Sequence, residues 1–400
     1  MDTTYLDSQI LTTHSPGGGG RPPSVVASFG LGLDSSAMLV RWLTDPDSRD
    51  FEVEDLVVVT AMTGHEWTST VEAVERHVLP LFRRHRVRYL QVARSQRRTT
   101  RAGGGVVVLN DSRCTGQLFA AGHYTLGDEM LSAGTLPQLG GIRACSMHSK
   151  GDALDPVIAR ITSGRPYRHA IGYEANEAGR STKDRGYNTA TRTGWYPLQE
   201  WGWNREDCQD FLLAEIGASI PKSACSFCPF SMATETGRAH QIRRFRAEPD
   251  RAAEALFLEF VARSLNPAQT LISGSSAADM VARAGLDDVV TRFQTRLQRS
   301  PWALYEVRRL QRRGPAGGRG ITARSIRTIA TGTRAQMAAQ LAREPGQRVR
   351  GVDGVIRHVL KDRSVHGVDH LIVAAPLGPV DKQRPGFEQW WHEAVGDALF

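Results

Sequence analysis

Early in the chain, apolar residues come in short dense blocks that alternate with stretches spaced for a helix. VVAS (25–28) is a short apolar run, and SAMLVRWL (36–43) carries helical spacing. DLVVVTAM (55–62) is a second, β-rich run; a helix is predicted from about Ser69 to Arg86, and VRYLQVAR (87–94) makes a third run. This β-α-β-α-β order predicts an α/β protein built on a parallel sheet with helices on both faces. RHAIGYEA (168–175) reads as a fourth strand, whereas residues 95–143 are rich in Gly and Ser and read as loops with short helices.

Farther on, Asn204 has the chemistry of an N-cap, Glu206 and Asp207 fall in the first turn of a helix running to about Ile216, and Gly217 stops it. From about Ala233 the pattern is helical and rich in Ala and Arg, as in RAAEALFLEFVARSL (251–265). RRGPAGGRG (312–320) reads as a linker or loop, and HLIVAAPL (370–377) as a last strand before a Trp-containing end. The expected organisation is a flexible tail at 1–23, an α/β domain at 24–235 and a mainly helical, basic region at 236–400.

Composition narrows the setting. No run of about 18 apolar residues occurs, so no membrane span is expected. The start of the chain lacks a basic stretch followed by an apolar one, the pattern of a secretory signal, and the expected location is cytoplasmic. The formal net charge of +8 points toward polyanionic partners. Arginines recur from Arg292 to Arg350 (Arg308, Arg309, Arg312, Arg313, Arg319, Arg324, Arg327, Arg334), opposed within that window only by Glu306 and Glu344. Such a run either contacts phosphate or forms a solvated helical face. Five cysteines in 400 residues do not make a disulfide framework.

The candidate chemistry sits in SFGLGLDSSAML (28–39), where small residues leave an apolar strand and enter a helix. A glycine-rich turn there presents free backbone N–H groups at a helix N-terminus, which is an anion site. It is not a Walker A loop, since GxxxxGK[ST] and a loop lysine are both missing, and Leu33-Asp34-Ser35 after Gly32 breaks G-x-G-x-x-G. An ordinary tight turn capped by Asp34 or Ser35 is the plain alternative.

The stretch resembles the PP-loop of the adenine nucleotide α-hydrolase-like enzymes, in the S-F-G-G-G-x-D-S-[ST] form of the phosphoadenosine phosphosulfate (PAPS) reductase family. Ser28, Phe29, Gly30, Gly32, Asp34, Ser35 and Ser36 match, and Leu31 stands where the family usually has glycine. TGHEWTST (63–70) resembles the family's T-G-x-E-x-x-x-T, with Met62 in place of a common Asp. RACSMHSK (143–150) resembles C-[ST]-x-x-x-K, IGYEANEAGRS (171–181) resembles I-G-x-x-x-x-E-x-x-R, and YPLQEWGWNREDC (196–208) resembles the P-L-x-x-W segment. The resemblance covers about 25–231. It implies a Rossmann-like fold that binds ATP and Mg²⁺ through the matched loop residues with Thr63, Gly64, Glu66, Glu177 and Arg180. It also implies Asp34 as a magnesium ligand, with Lys150 or Arg180 stabilising the pyrophosphate that leaves.

Cys225-x-x-Cys228, followed by Pro229, is by itself compatible with a redox pair, half a zinc site or part of an iron–sulfur site. Cys208 shares an apolar helix face with Phe211, Leu212 and Ile216 and also suits the core. The cysteine order resembles that of the ATP-pyrophosphatase component of bacterial DNA phosphorothioation systems, whose four cysteines hold a [4Fe–4S] cluster. That resemblance implies Cys145, Cys208, Cys225 and Cys228 as ligands, with zinc as the alternative, and leaves Cys114 without a matched place. PAPS reductases carry a cysteine in a C-terminal E-C-G-[IL]-H tail, and none follows Cys228 here. The function expected from the resemblance is an adenylating ATP pyrophosphatase, a sulfurtransferase assisted by the cluster. Its acceptor would be nucleic acid bound through 292–350, with a sulfur donor such as a cysteine desulfurase. The alternatives are a sulfonucleotide reductase, or a nucleic-acid-binding protein with a degenerate loop and structural zinc.

Overall fold

In the computed structural model, which describes residues 21–120, 122–139, 144–312 and 320–396, the apolar blocks of the first half become the centre of a sheet. The chain divides into two compact units, residues 1–126 with 142–226, and residues 127–141 with 227–400. The expected tail up to residue 20 and the middle of RRGPAGGRG lie outside the described residues.

In the first unit β1 (Val25–Ser28), β2 (Leu56–Met62), β3 (Arg88–Arg94), β4 (Val106–Ser112), β5 (Tyr167–Ile171) and β6 (Arg192–Trp195) lie in the order β4-β3-β2-β1-β5-β6. Each pairing is parallel except β3 with β4. The unit is thus α/β with a six-stranded mixed sheet. All seven residues of β2 are buried, which a parallel strand covered on both faces requires. The pleat sorts the side chains: Val25 and Ala27 join a core with Trp42, Phe82 and Leu212, while Val26 joins a second core with Val57, Leu90 and Val157. Helices α1 (Leu33–Thr44) and α2 (Thr68–His77) supply the first core, and α3 (Asp152–Thr162) the second. Helix α4 (Ala178–Arg185) follows β5, and α5 (Arg205–Ile216) starts where predicted: the Asn204 side chain accepts from the amides of Glu206 and Asp207 at 2.7 and 3.3 Å. Gly217 closes α5 with a φ of 64°.

Two local expectations change. The helix predicted over 69–86 is two, because Pro80 has no amide hydrogen and opens a new helix, Leu79–Arg84, after α2. The 95–143 stretch, read as loops with short helices, does contain a short helix, Leu126–Ala133, but also β4, an edge strand whose positions after Val106 are partly buried or exposed and so carry a weak apolar pattern. The four residues of β6 are too short to show a period at all.

In the second unit the mainly helical region is corrected. Helices do run through Glu235–Ala247, α6 (Pro249–Leu265) and α7 (Asp287–Arg299). They are followed by an antiparallel sheet of β7 (Trp302–Arg312), β8 (Ile321–Gly332), β9 (Gln347–Arg350), β10 (Ile356–Lys361), β11 (Val368–Pro376) and β12 (Lys382–Gln383), in the order β12-β8-β7-β11-β10-β9. Between β8 and β9 lies α8 (Arg334–Leu341). On β7 and β8 the arginines stand among buried Val307, Leu310, Ala323 and Ile326. The basic composition hides a strand pattern. HLIVAAPL falls on β11, as predicted.

Candidate active site

Strand β1 stands where the strand order reverses: β2 and β3 lie to one side of it, β5 and β6 to the other. In open parallel sheets ligands bind outside the carboxyl ends of the strands at such a point. There β1 runs into the loop Phe29–Gly32, and β5 into Gly172.

The loop turns through Leu31, whose φ of 60° lies in the left-handed region that glycine usually fills. Its side chain is packed in the core, so it does not fill the loop. Gly32 is the N-cap of α1 and brings no side-chain cap. That leaves the first amides of the helix to a ligand. Ser35 Oγ accepts from the Gly30 amide and donates to the Gly32 carbonyl, both at 3.2 Å. A Cβ on Gly32 would lie 2.7 Å from Ser223 Oγ, and one on Gly172 would lie 2.9 Å from Ser35 Cα. Close backbone approach therefore requires glycine at both positions, and it draws the loops after β1 and β5 and the segment leading to Cys225 together.

Two polar atoms of this stretch, Asp34 Oδ1 and Ser36 Oγ, are buried with no hydrogen-bond partner among the described residues. The other Asp34 oxygen is 3.7 Å from Arg205. Burial raises the Asp34 carboxyl above the usual carboxylate range; Arg205 and Lys222 oppose the rise, and Glu177 and Glu174 add to it. A desolvated acid with two other acids near it is a setting that a cation relieves. Mg²⁺ is typically held by one or two carboxylates together with phosphate oxygens and water, and Asp34 with an open oxygen fits that role.

Ser28 Oγ lies 2.8 Å from His169 Nε2, and Arg192 Nε donates to His169 Nδ1 at 3.0 Å. His169 is therefore neutral with its hydrogen on Nε2, donating to Ser28 and leaving the serine hydroxyl hydrogen for another acceptor. Burial, with help from Arg192, lowers the His169 pKa to about 4. Arg192 is held in turn by Asp184 at 2.7 Å.

The remaining expected residues divide. Phe29 anchors the loop: its ring packs against Phe82 and Tyr89, and its carbonyl accepts from Thr60 Oγ1 at 2.8 Å. Glu66 is consumed locally, its carboxylate accepting from the Thr63 amide, the Thr63 hydroxyl and the Gly64 amide at 2.9, 2.7 and 3.0 Å. It shapes the turn after β2. Glu177 and Arg180 pair at 2.7 Å, with the Arg180 guanidinium 4.3 Å from the centre of the Tyr173 ring. Lys150 is exposed in the wide turn Met147–Gly151, and among the described residues no hydrogen bond or ion pair ties it to the loop. His169, Glu174, Arg205, Lys222 and Ser223 were not expected; nothing in their local sequence marks them.

None of the five cysteines, all of them among the described residues, forms a disulfide. Cys208 is wholly buried in the core beside Leu212, and burial pushes its thiol up to about 12. Cys145, Cys225 and Cys228 are half-buried and Cys114 is exposed. Among the described residues no group of three or more His, Cys, Asp or Glu side chains is placed to hold a metal ion.

Most of the paired arginines of 292–350 find carboxylates outside their own window. Arg309 meets Asp369 at 2.9 Å, Arg312 meets Glu393 at 3.4 Å, Arg292 meets Asp250 at 2.8 Å, and Arg308 pairs with Glu388. Arg327 pairs with Glu306 at 2.8 Å. Arg324 donates to the carbonyls of Ala133 and Gly134 at 2.6 and 2.9 Å, and burial lowers its pKa to about 10. No helix among the described residues is long and apolar enough to cross a membrane.

Compared with protein-family models, with curated proteins and with solved structures, the chain shows no significant match.

Proposed function

We propose that the first unit is a Rossmann-like ATP pyrophosphatase of the PP-loop kind, which adenylates an acceptor and releases pyrophosphate. The observation that carries the reading is the pair of buried, unpartnered atoms, Asp34 Oδ1 and Ser36 Oγ, in a glycine loop at the reversal point of the sheet. A turn that merely joined strand to helix would satisfy its own buried polar groups.

In the reaction an acceptor oxygen forms a bond to the α-phosphorus of ATP, the bond from that phosphorus to the α,β-bridging oxygen breaks, and pyrophosphate leaves with the electron pair. The α1 amides and the hydroxyls of Ser28 and Ser36 would donate to phosphate oxygens. Ser35 would keep the loop in register through its two internal bonds. Asp34 would hold Mg²⁺, which when bound offsets negative charge on the phosphates. Arg205 and Lys222, the cations that act on Asp34, would oppose the charge that develops on the leaving group, with Arg180 joined to the site through Glu177. Transfer of sulfur, a cysteine desulfurase as donor, nucleic acid as acceptor and a [4Fe–4S] cluster belong to this reading only through the family resemblance, and the adenylation step does not depend on them.

The test is pyrophosphate release from ATP and Mg²⁺ by the wild type and by Asp34→Asn. Loss of roughly 100-fold or more, with an unchanged or raised melting temperature, is the expected result. Equal rates in the two proteins would overturn the reading.

A further inference from the structure

The second unit contains a cavity of about 550 Å³ that the adenylation reading does not use. Its size is within the range of small-molecule sites. One wall is aromatic: Phe260 packs edge-on against Phe293 at 5.9 Å and against Trp302 at 6.1 Å. The Trp302 indole N–H is already bonded to the Leu297 carbonyl at 3.0 Å, so the ring offers no free donor to the cavity.

The polar lining is one-sided in charge. Arg263, Arg334, Arg348 and Arg350 all border the cavity, with Glu259 and Asp353 as its carboxylates. Both acids are engaged elsewhere. Glu259 accepts from the amides of Leu271, Ala277 and Ala278 at 2.8, 3.1 and 3.3 Å. Asp353 binds Arg357 through both oxygens at 3.1 and 2.6 Å. Arg263 acts on both acids only at longer range, and its Nε is buried without an acceptor among the described residues. Arg334 lies 5.0 Å from the centre of the Trp302 ring.

His358 completes the lining. It is 5% exposed; its Nδ1 lies 2.8 Å from the Glu344 carbonyl and so carries the hydrogen, and Nε2 is buried with no partner. In the β9–β10 pairing His358 stands directly opposite Arg348, and Ile356 opposite Arg350. Opposed residues share a face, so the hairpin turns two arginines and an unsatisfied imidazole to the same side.

We propose that this cavity is a second ligand site, one that takes a nucleotide: a phosphate monoester carrying a flat, hydrogen-bonding ring. Arginines without carboxylate partners match a multiply charged phosphate, for which the guanidinium fork is suited. The aromatic wall matches the ring, and His358 Nε2 accepts from a ring N–H or a sugar hydroxyl. The site belongs wholly to the second unit and stands or falls independently of the PP-loop.

The experiment is calorimetric titration of the full chain with AMP, comparing wild type, Asp34→Asn and the double variant Arg348→Ala/Arg350→Ala. Both arginines are exposed, so the double variant keeps its melting temperature. The site predicts AMP binding that weakens at least 10-fold in the double variant, persists in Asp34→Asn, and leaves pyrophosphate release from ATP unchanged. Absence of AMP binding to wild type, or binding that Arg348→Ala/Arg350→Ala leaves intact, overturns it. If pyrophosphate release fails while AMP still binds in the cavity, the PP-loop reading alone is lost. His358→Leu supplies a second reading: it removes the acceptor, and AMP affinity should fall while inorganic phosphate binding stays.

Discussion

The loop after β1 and the arginine-bearing strands β7 and β8 treat polar groups in opposite ways. In the loop there are few charges, yet Asp34 Oδ1 and Ser36 Oγ are buried and unanswered. On the strands charge is dense, yet Arg308, Arg309 and Arg327 each face a carboxylate. Two of these are direct register partners, Arg309 with Asp369 across β7–β11 and Arg327 with Glu306 across β7–β8. Density of charge along a sequence therefore does not locate a binding surface. The informative quantity is polar capacity left unsatisfied after folding, and in the second unit it includes Arg263 Nε and His358 Nε2 at the cavity as well as Arg309 Nε on β7.

The sharpest way to break this comparison is Asp34→Asn. If the open oxygen serves a ligand, pyrophosphate release falls by roughly 100-fold or more. Because the Asp34 carboxyl is raised above its usual range, its ionised form opposes folding once the pH exceeds the folded pKa. Removing that charge should leave the melting temperature at pH 7 unchanged or higher. A lower melting temperature with full activity would make the loop a structural turn.

Next in size is the satisfied side. Asp353 and Arg357 pair with side-chain exposures of only 4% and 5%. Asp353→Ala should cost about 3–5 kcal/mol in urea unfolding, because it leaves a buried guanidinium without its carboxylate. Glu388→Ala, which breaks a pair whose acid is 47% exposed, should cost less than about 1 kcal/mol. Similar costs for the two would show that burial does not rank the pairs.

His169 lies between the two regimes, satisfied by Arg192 and lending its own hydrogen to Ser28. Its folded pKa of about 4 is below the usual value near 6.5. The stability linked to its neutral form is complete above pH 6.5 and is lost as pH falls toward 4, a loss of about 3 kcal/mol over that window. His169→Gln should flatten stability between those pH values in denaturant titrations. A curve that keeps the wild-type slope would assign the acid lability to other groups.

A smaller effect than at Asp353 or His169 is expected at Leu31. Glycine there would relax the left-handed backbone but remove a side chain only 1% exposed. A net loss of about 2 kcal/mol in unfolding free energy, with pyrophosphate release retained, is the expected result of Leu31→Gly. Gain of stability would mean that the leucine is strain without packing value.

What the sequence by itself determined was local. The apolar runs of β1, β2, β3, β5 and β11, the loop with its glycines, the Asn204 cap and the Gly217 stop all follow from periodicity and from what each residue does to its own backbone. The edge strand β4 and the sheet from β7 onward were obscured where partly exposed strands or an arginine-rich composition weakened that periodicity, and Pro80 divided the helix predicted over 69–86. What only tertiary structure decided is which group answers which. Ser28 meets His169 across 141 residues because β1 pairs with β5, and Gly172 then lies against Ser35 for the same reason. Glu66 turned inward to its own loop, Cys208 went into the core, and the β7 arginines Arg308 and Arg309 took carboxylates from beyond residue 350. Hydrogen bonds and ion pairs act over a few ångströms, and the order of strands in the two sheets sets which distant residues come within that reach.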